Sequence, residues 1–195
     1  MKDDMTLYEA IRTRRSIGRV KSDPVERDKI ERILEAGNWA PSHMCTEPWR
    51  FYVMTGSGRQ ILADAYADIA AENASNLAKK EMEVLRSKQG AKAFRAPLVI
   101  AVVVSPSAAP GVIRIEEFAA AHSAVQNMLL TAHALGLGAI WRSGEPMYHP
   151  RMKRAFELQE GEELVGLLYI GYPDMTPPAA NRRTSASNKT VWITE

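Results

Sequence analysis

The chain has 195 residues, 46% hydrophobic and 25% charged, which fits one domain with a sizeable buried core and excludes a disordered or fibrous chain. A formal net charge of +2 carries no bulk electrostatic signature of a nucleic-acid or membrane partner. The single cysteine, Cys45, excludes an intrachain disulfide and cannot build a zinc cluster by itself.

In Met1-Lys2-Asp3-Asp4-Met5, acids stand where a signal peptide has an apolar stretch, so a soluble cytoplasmic product is expected. Thr6-Leu7-Tyr8-Glu9 is a capping-box pattern and predicts a helix starting at Thr6, with Leu7 and Ile11 on one face. That helix runs into Arg12-Thr13-Arg14-Arg15-Ser16-Ile17-Gly18-Arg19. Asp23 as N-cap, Pro24 behind it and Glu26 further on predict a second helix, striped by Ile30, Ile33 and Leu34 and stopped at Gly37. Trp49–Thr55 mixes aromatic and β-branched residues and reads as a strand, broken by Gly56-Ser57-Gly58. Residues 59–89 are helical in composition but weakly periodic, so an exposed lid is expected within 59–90.

Pro97–Val104 is apolar on both faces and predicts a buried strand; the apolar run Ala96–Val104 is too short to span a bilayer. Ser105–Gly111 reads as loop. Glu116–Leu135 has the clearest helical spacing, through Phe118, Ala121, Val125, Met128, Leu129, Ala132 and Leu135, with Gly136 as its stop. Ala139–Trp141 predicts a short strand ending at an Arg-Ser-Gly turn. A small helix is expected after Pro146 or Pro150, then a second buried strand over Leu164–Tyr172. Pro173–Asn188 should be irregular, and Thr190–Thr194 predicts a final edge strand. No repeat or linker divides the chain, which reads as a single domain over 1–195. Interleaved helices and buried strands argue an α+β or α/β layered architecture.

Arg12–Arg19 carries four guanidiniums, two hydroxyls and no acid. Arginine presents a rigid fork of donors that matches phosphate oxygens, and a serine hydroxyl adds another. Arg14 and Ser16 lie two apart, so an extended backbone puts both on one side, where they can contact one phosphate; Arg15 then points elsewhere. A solvated basic face or a nucleic-acid arm is the other reading, but the basic residues form no stripe and few aromatics interleave them. Gly136-Leu137-Gly138 lacks the third glycine and the preceding strand of a dinucleotide-binding turn. His122, His133 and His149 have no metal-ligand spacing, and no metal is expected. Cys45 has no acid to complete a nucleophilic arrangement with His43.

Arg14-Arg15-Ser16, Ala40-Pro41-Ser42-His43, Pro48-Trp49-Arg50-Phe51 and Gly138-Ala139-Ile140-Trp141-Arg142-Ser143-Gly144 follow one another across nearly the whole chain. Together they resemble the FMN-dependent nitroreductase family, in its compact branch. The resemblance implies the fold of that family: a mixed β-sheet flanked by helices, with a C-terminal tail exchanged in a homodimer. It implies FMN bound by Arg14, Arg15 and Ser16, with the flavin ring along Trp141, Arg142 and Ser143, where a backbone N–H reaches the flavin N5. It also implies that the turn carrying Trp39 and His43 meets the neighbouring subunit's flavin. Trp39 stands where the branch can carry an arginine, which permits stacking but no charge-assisted hydrogen bond. Plainer readings stay open beside these: a core aromatic for Trp141, a structural hydrogen-bonder for His43. Asn181-Arg182-Arg183-Thr184 resembles a basic turn that longer members use for the FMN phosphate, so Arg182 or Arg183 is either a phosphate contact or surface charge.

The implied activity is reduction of a small-molecule electron acceptor, nitroaromatic or quinone-like, with NADH or NADPH as reductant and a ping-pong mechanism. No proton-donating side chain stands out in the sequence, which suits acceptors that take electrons with little specific acid–base help. The alternatives are reductive dehalogenation or flavin breakdown on the same fold, or a non-catalytic flavin-binding protein.

Overall fold

The computed structural model describes residues 5–74, 76–179 and 183–194. Helix α1 spans Leu7–Thr13 and opens with the expected capping box: Thr6 Oγ1 accepts from the Glu9 N–H at 3.2 Å, and the Thr6 N–H donates back to Glu9 Oε2 at 3.4 Å. Helix α2 spans Arg27–Asn38 and is capped by Glu26, so it starts later than Asp23-Pro24 suggested. Tertiary contacts hold the intervening segment extended. The Lys21 N–H donates to the Tyr172 carbonyl at 2.8 Å, Val20 bridges to Pro173, and Val25 is buried.

Four strands form the sheet: β1 (Trp49–Thr55), β2 (Leu98–Val104), β3 (Gly138–Arg142) and β4 (Glu163–Gly171), in the order β1-β2-β4-β3. Their ladders are all antiparallel. The parallel component is a single bridge, Ser16 to Ala139, which lays the N-terminal arginine segment along β3. Every residue of β2 is buried, because the strand lies inside the sheet with helices on both faces. Leu98, Ile100 and Val102 pack toward α2 and α5 (Arg114–Ala134), against Ile30, Ile33, Val125 and Met128. Val99, Ala101 and Val103 pack toward α3 (Gln60–Glu72) and α7 (Pro150–Ala155), against Leu62, Ile69 and Met152. The result is a helix–sheet–helix sandwich, an α+β architecture. Between Val102 and Val103 the β2–β4 register shifts, leaving Val165 as a bulge.

The 59–90 stretch divides in two. Helix α3 buries Leu62, Ala63, Ala65, Ala67 and Ile69 and belongs to the core. Its buried face is largely alanine, which weakens the hydrophobic period read from sequence. Helix α4 (Lys79–Gly90) buries no residue, so the expectation of an exposed segment fits this half alone. Short helix α6 (Glu145–Tyr148) and α7 follow β3, each with proline in its first turn. The expected edge strand over Thr190–Thr194 does not form: among the described residues, 190–194 join no strand, and Thr190 bonds only back to its own turn, to the Ser187 and Ala186 carbonyls. Val191, Trp192 and Ile193 are 85%, 83% and 89% exposed, an apolar tail without a covering surface of its own. Among the described residues no helix is long and apolar enough to cross a membrane.

Candidate functional site: acid-free cation clusters along strand β3

The Ile17 N–H donates to the Ala139 carbonyl at 3.0 Å, and the Ile17 side chain covers Gly138, where an added Cβ would lie 2.7 Å from Ile17 Cγ2. This packing explains the second glycine of Gly136-Leu137-Gly138. The first terminates α5 in the left-handed region, at φ 76°. The three residues of the Arg14-Arg15-Ser16 motif separate into different tasks. Arg15 Nη1 donates to the carbonyls of Arg12 and Arg14, both at 2.9 Å, satisfying the open end of α1. Arg14, half-buried, makes no ion pair or side-chain hydrogen bond among the described residues. Burial, then Arg15, then Arg183 lower its guanidinium pKa. Ser16 is exposed beside it. Arg183 is thus near enough to bear on Arg14, whereas Arg182 lies outside the described residues. Cations gathered without an acid make a place where an anion is stabilised.

At the other end of β3, adjacent residues point to opposite faces of the sheet. Trp141 lies toward α5: its ring stands 5.6 Å from His122, and its Nε1–H donates to the carbonyl of Val165, the bulged residue, at 3.0 Å. An added Cβ on Gly166 would lie 2.5 Å from that nitrogen, so only glycine lets the indole seat there. The indole is thus held at its nitrogen, while the residue stays 37% exposed and borders the adjoining cavity. Arg142 turns toward the α3 side, with its guanidinium 5.4 Å from the centroid of the Tyr169 ring. Its Nε is buried and has no partner among the described residues. Ser143 follows, and Gly144 at φ 115° turns the chain into α6.

Arg142 and Ser143 line a cavity of about 370 Å³ together with Tyr66, Lys92, Arg95 and Tyr169, and among the described residues no acid lines it. Burial, followed by Arg95 and Arg142, lowers the Lys92 pKa. Tyr66 and Tyr169 hydroxyls meet at 3.3 Å. Burial raises both phenol pKa values, so both stay protonated as donors. The cavity therefore offers donors and positive charge to an electron-rich, acceptor-bearing edge. Lys92, Arg95, Tyr66 and Tyr169 were missed in the sequence. Their one local signal is a pair of cations without an acid just before a buried strand.

The Trp39–His43 turn stands elsewhere. It enters β1, and β1 and β3 are the opposite edges of the sheet. Trp39 is 77% exposed and donates through Nε1 to Glu35 Oε1 at 2.6 Å. His43 Nε2 lies 3.9 Å from Glu116 Oε2, a buried oxygen with no hydrogen-bond partner among the described residues. Met44, Cys45 and Glu47 all have positive φ, at 55°, 52° and 46°. Such strain persists only where surroundings impose it. Here Ser42 holds two of these residues, its carbonyl accepting from the Cys45 N–H at 3.2 Å and its Oγ from the Glu47 N–H at 3.0 Å, while buried Glu117 anchors Thr46 between them, accepting from Thr46 Oγ1 at 2.5 Å. Among the described residues no group of three or more His, Cys, Asp or Glu is placed to hold a metal.

Comparison with known proteins agrees with this architecture. The model of the Nitroreductase family matches residues 11–172. A protein of Bacillus subtilis named "Putative NAD(P)H nitroreductase YfhC" is 33% identical over 177 residues, 90% of this chain and 89% of the relative. The crystal structure of a nitroreductase-like family protein from Bacillus cereus has a TM-score of 0.82 at 30% identity, covering 99% of this chain and 98% of that one. A Desulfovibrio desulfuricans structure described as a "putative nitroreductase in complex with FMN" has a TM-score of 0.69 at 28% identity, with 98% of each chain covered. This chain belongs to the nitroreductase family.

Proposed function

We propose that the protein is an FMN-dependent oxidoreductase that uses NADH or NADPH to reduce nitroaromatic or quinone-like acceptors. The observation that carries this reading is the pair of cation clusters at the two ends of β3, which hold no acid among the described residues. Arg14, Ser16 and Arg183 gather near Ala139; Lys92, Arg95 and Arg142 gather at the strand's end. Ala139 and Arg142 are separated by roughly 10 Å of strand, the reach of a ribityl phosphate. The residues present therefore fit FMN: Arg14 and Ser16 would hold its phosphate, and the Arg142 side chain and Ser143 backbone would border its ring. The FMN complex of the Desulfovibrio relative supports the same cofactor. When bound, the flavin supplies two-electron transfer from the nicotinamide to the acceptor. The protein's own contribution is positioning and electrostatics: donors and cations fixed around the ring edge favour the charge that reduction places there. No side chain need carry a proton to an acceptor of this class.

We also propose a homodimer. The Trp39–His43 turn and β3 lie on opposite sheet edges, about 14 Å apart across three inter-strand spacings. A chain cannot bring this turn to its own β3 end, whereas a second copy can. The exposed Val191-Trp192-Ile193 tail gives that copy an apolar arm to cover. One pocket serving donor and acceptor in turn requires ping-pong kinetics. Steady-state rates at several acceptor concentrations should give parallel double-reciprocal lines, and crossing lines would refute alternating occupancy. Light scattering of the flavin-loaded protein should give twice the chain mass.

A further inference from the structure

His133 ends α5 beside the arginine segment, and nothing in the proposed chemistry uses it. Its Nε2 lies 2.8 Å from Thr13 Oγ1. The Thr13 hydroxyl already donates to the Glu9 carbonyl at 2.7 Å. Thr13 can therefore only accept from the imidazole, so Nε2 carries the proton and Nδ1 is the site left to titrate. Thr13 immediately precedes Arg14, at the point where α1 ends and the chain turns to bridge β3. The bond thus ties the last turn of α5 to the residue from which Arg14 departs.

We propose that His133 is a positioning residue for the phosphate anchor, and that it couples retention of a phosphorylated flavin to pH. This rests on the assignment of Arg14 and Ser16 to the phosphate. Two consequences follow from the geometry. Removing the imidazole frees the end of α1, so the anchor loses aim while the ring site at Arg142 is untouched. The second concerns charge. The charged groups that bear on the ring are Arg14 and Arg15, with Arg183 bearing in turn on Arg14. Within the last turn of α5, His133 is the one basic residue. Burial, then Arg14, then Arg15 lower the imidazole pKa, which keeps it neutral in the flavin-free protein. A phosphate dianion seated among these arginines offsets their push and lets Nδ1 take a proton. Binding that takes up a proton strengthens as pH falls. The phosphate's own second ionisation, near pH 6, works the opposite way, but it does so in every variant alike.

The test is flavin affinity by fluorescence quenching, with FMN and with riboflavin, from about pH 8 to about pH 6.5, the range around the ordinary imidazole value. His133→Ala and Thr13→Val should each weaken FMN by about tenfold, the worth of a hydrogen bond with its attendant disorder, and leave riboflavin unchanged. His133→Gln keeps an amide donor for Thr13 but cannot titrate. It should bind FMN like the wild type at the upper pH and lose the wild type's gain at the lower one. Thermal melts of each variant establish that it is folded, and His133→Gln keeps the test alive if the alanine variant is not. Equal FMN affinity in wild type, His133→Ala and Thr13→Val overturns the positioning role. A pH slope in His133→Gln equal to that of the wild type overturns the coupling. Equal losses for FMN and riboflavin place the effect outside the phosphate anchor and overturn the proposal. A wild type that takes up neither flavin overturns the flavin reading itself, and this inference with it.

Discussion

Ser16 stands opposite Ala139 in a parallel bridge, and this contact sets the N-terminal arginines alongside the strand that ends at Arg142. A sequence separation of more than a hundred residues is closed there by one backbone hydrogen bond, Ile17 to Ala139. The bridge uses backbone groups, so the side chains of Arg14 and Ser16 can be removed without undoing it. Arg14→Ala with Ser16→Ala should therefore leave the melting temperature nearly unchanged. It should weaken FMN by about 30-fold or more, since hydrogen bonds to charged groups contribute about 1.5–3 kcal/mol each. Riboflavin, which has no phosphate, should bind the double variant as it binds the wild type. Unchanged FMN retention in a folded variant sinks the phosphate assignment.

Gly166 is the seat of Trp141. Its Cβ would meet the indole nitrogen at 2.5 Å and Cδ1 at 2.9 Å, inside the β4 bulge. Gly166→Ala is expected to destabilise the protein by about 1–3 kcal/mol through overpacking. It should also push Trp141 off the Val165 carbonyl. A lowered thermal midpoint with a shifted tryptophan emission spectrum is the predicted pair of changes. A variant as stable as wild type would show that the indole has room to move.

Arg142 bears on electron transfer rather than on stability. Its Nε is buried, and among the described residues it has no partner and its cavity no acid. Arg142→Met removes a cation from the proposed ring edge and should make bound flavin harder to reduce. The midpoint potential should fall by about 30 mV for each 1.4 kcal/mol of lost stabilisation of the reduced form. Spectroelectrochemistry of the two flavin-loaded proteins measures this; an unchanged or raised potential would place Arg142 away from the ring.

Glu26 is expected to contribute to the acid limb of the stability curve. The Tyr172 hydroxyl donates to its Oε2 at 2.5 Å and Lys29 pairs with it at 3.2 Å. The Tyr172 hydrogen bond, with Lys29 adding to it, lowers its pKa from 4.5 to about 2. A carboxylate whose pKa is depressed by folding stabilises the folded state above its unfolded value, and that contribution is lost as pH falls through the folded one. The Glu26→Gln variant should therefore melt below wild type at neutral pH, with the difference shrinking between pH 4.5 and about 2. A constant difference down to that pH would remove Glu26 from the acid limb.

Local patterns were legible in the sequence. The Thr6 capping box, the bounds of Trp49–Thr55 and the doubly buried Leu98–Val104 each depend on neighbouring residues alone. What misled was non-local. Asp23-Pro24 has the form of a helix start, but bridging by Val20 and Tyr172 keeps that segment extended. Val191-Trp192-Ile193 has strand chemistry but no partner strand among the described residues. Lys92 and Arg95 meet Arg142 only because β2 and β3 flank β4. No spacing rule brings those positions together. His133 has no metal-ligand spacing in the sequence, and its partner in the fold is a threonine 120 residues away.

The most direct measurement is the absorption spectrum of the purified protein, supplied with FMN and then given NADH or NADPH without oxygen. The flavin bands should appear with the protein and bleach on addition of either nucleotide, then return when a nitroaromatic or quinone is added. A colourless protein that takes up no FMN, or bound flavin that neither nucleotide reduces, would contradict the assignment of this chain as a flavin-dependent reductase.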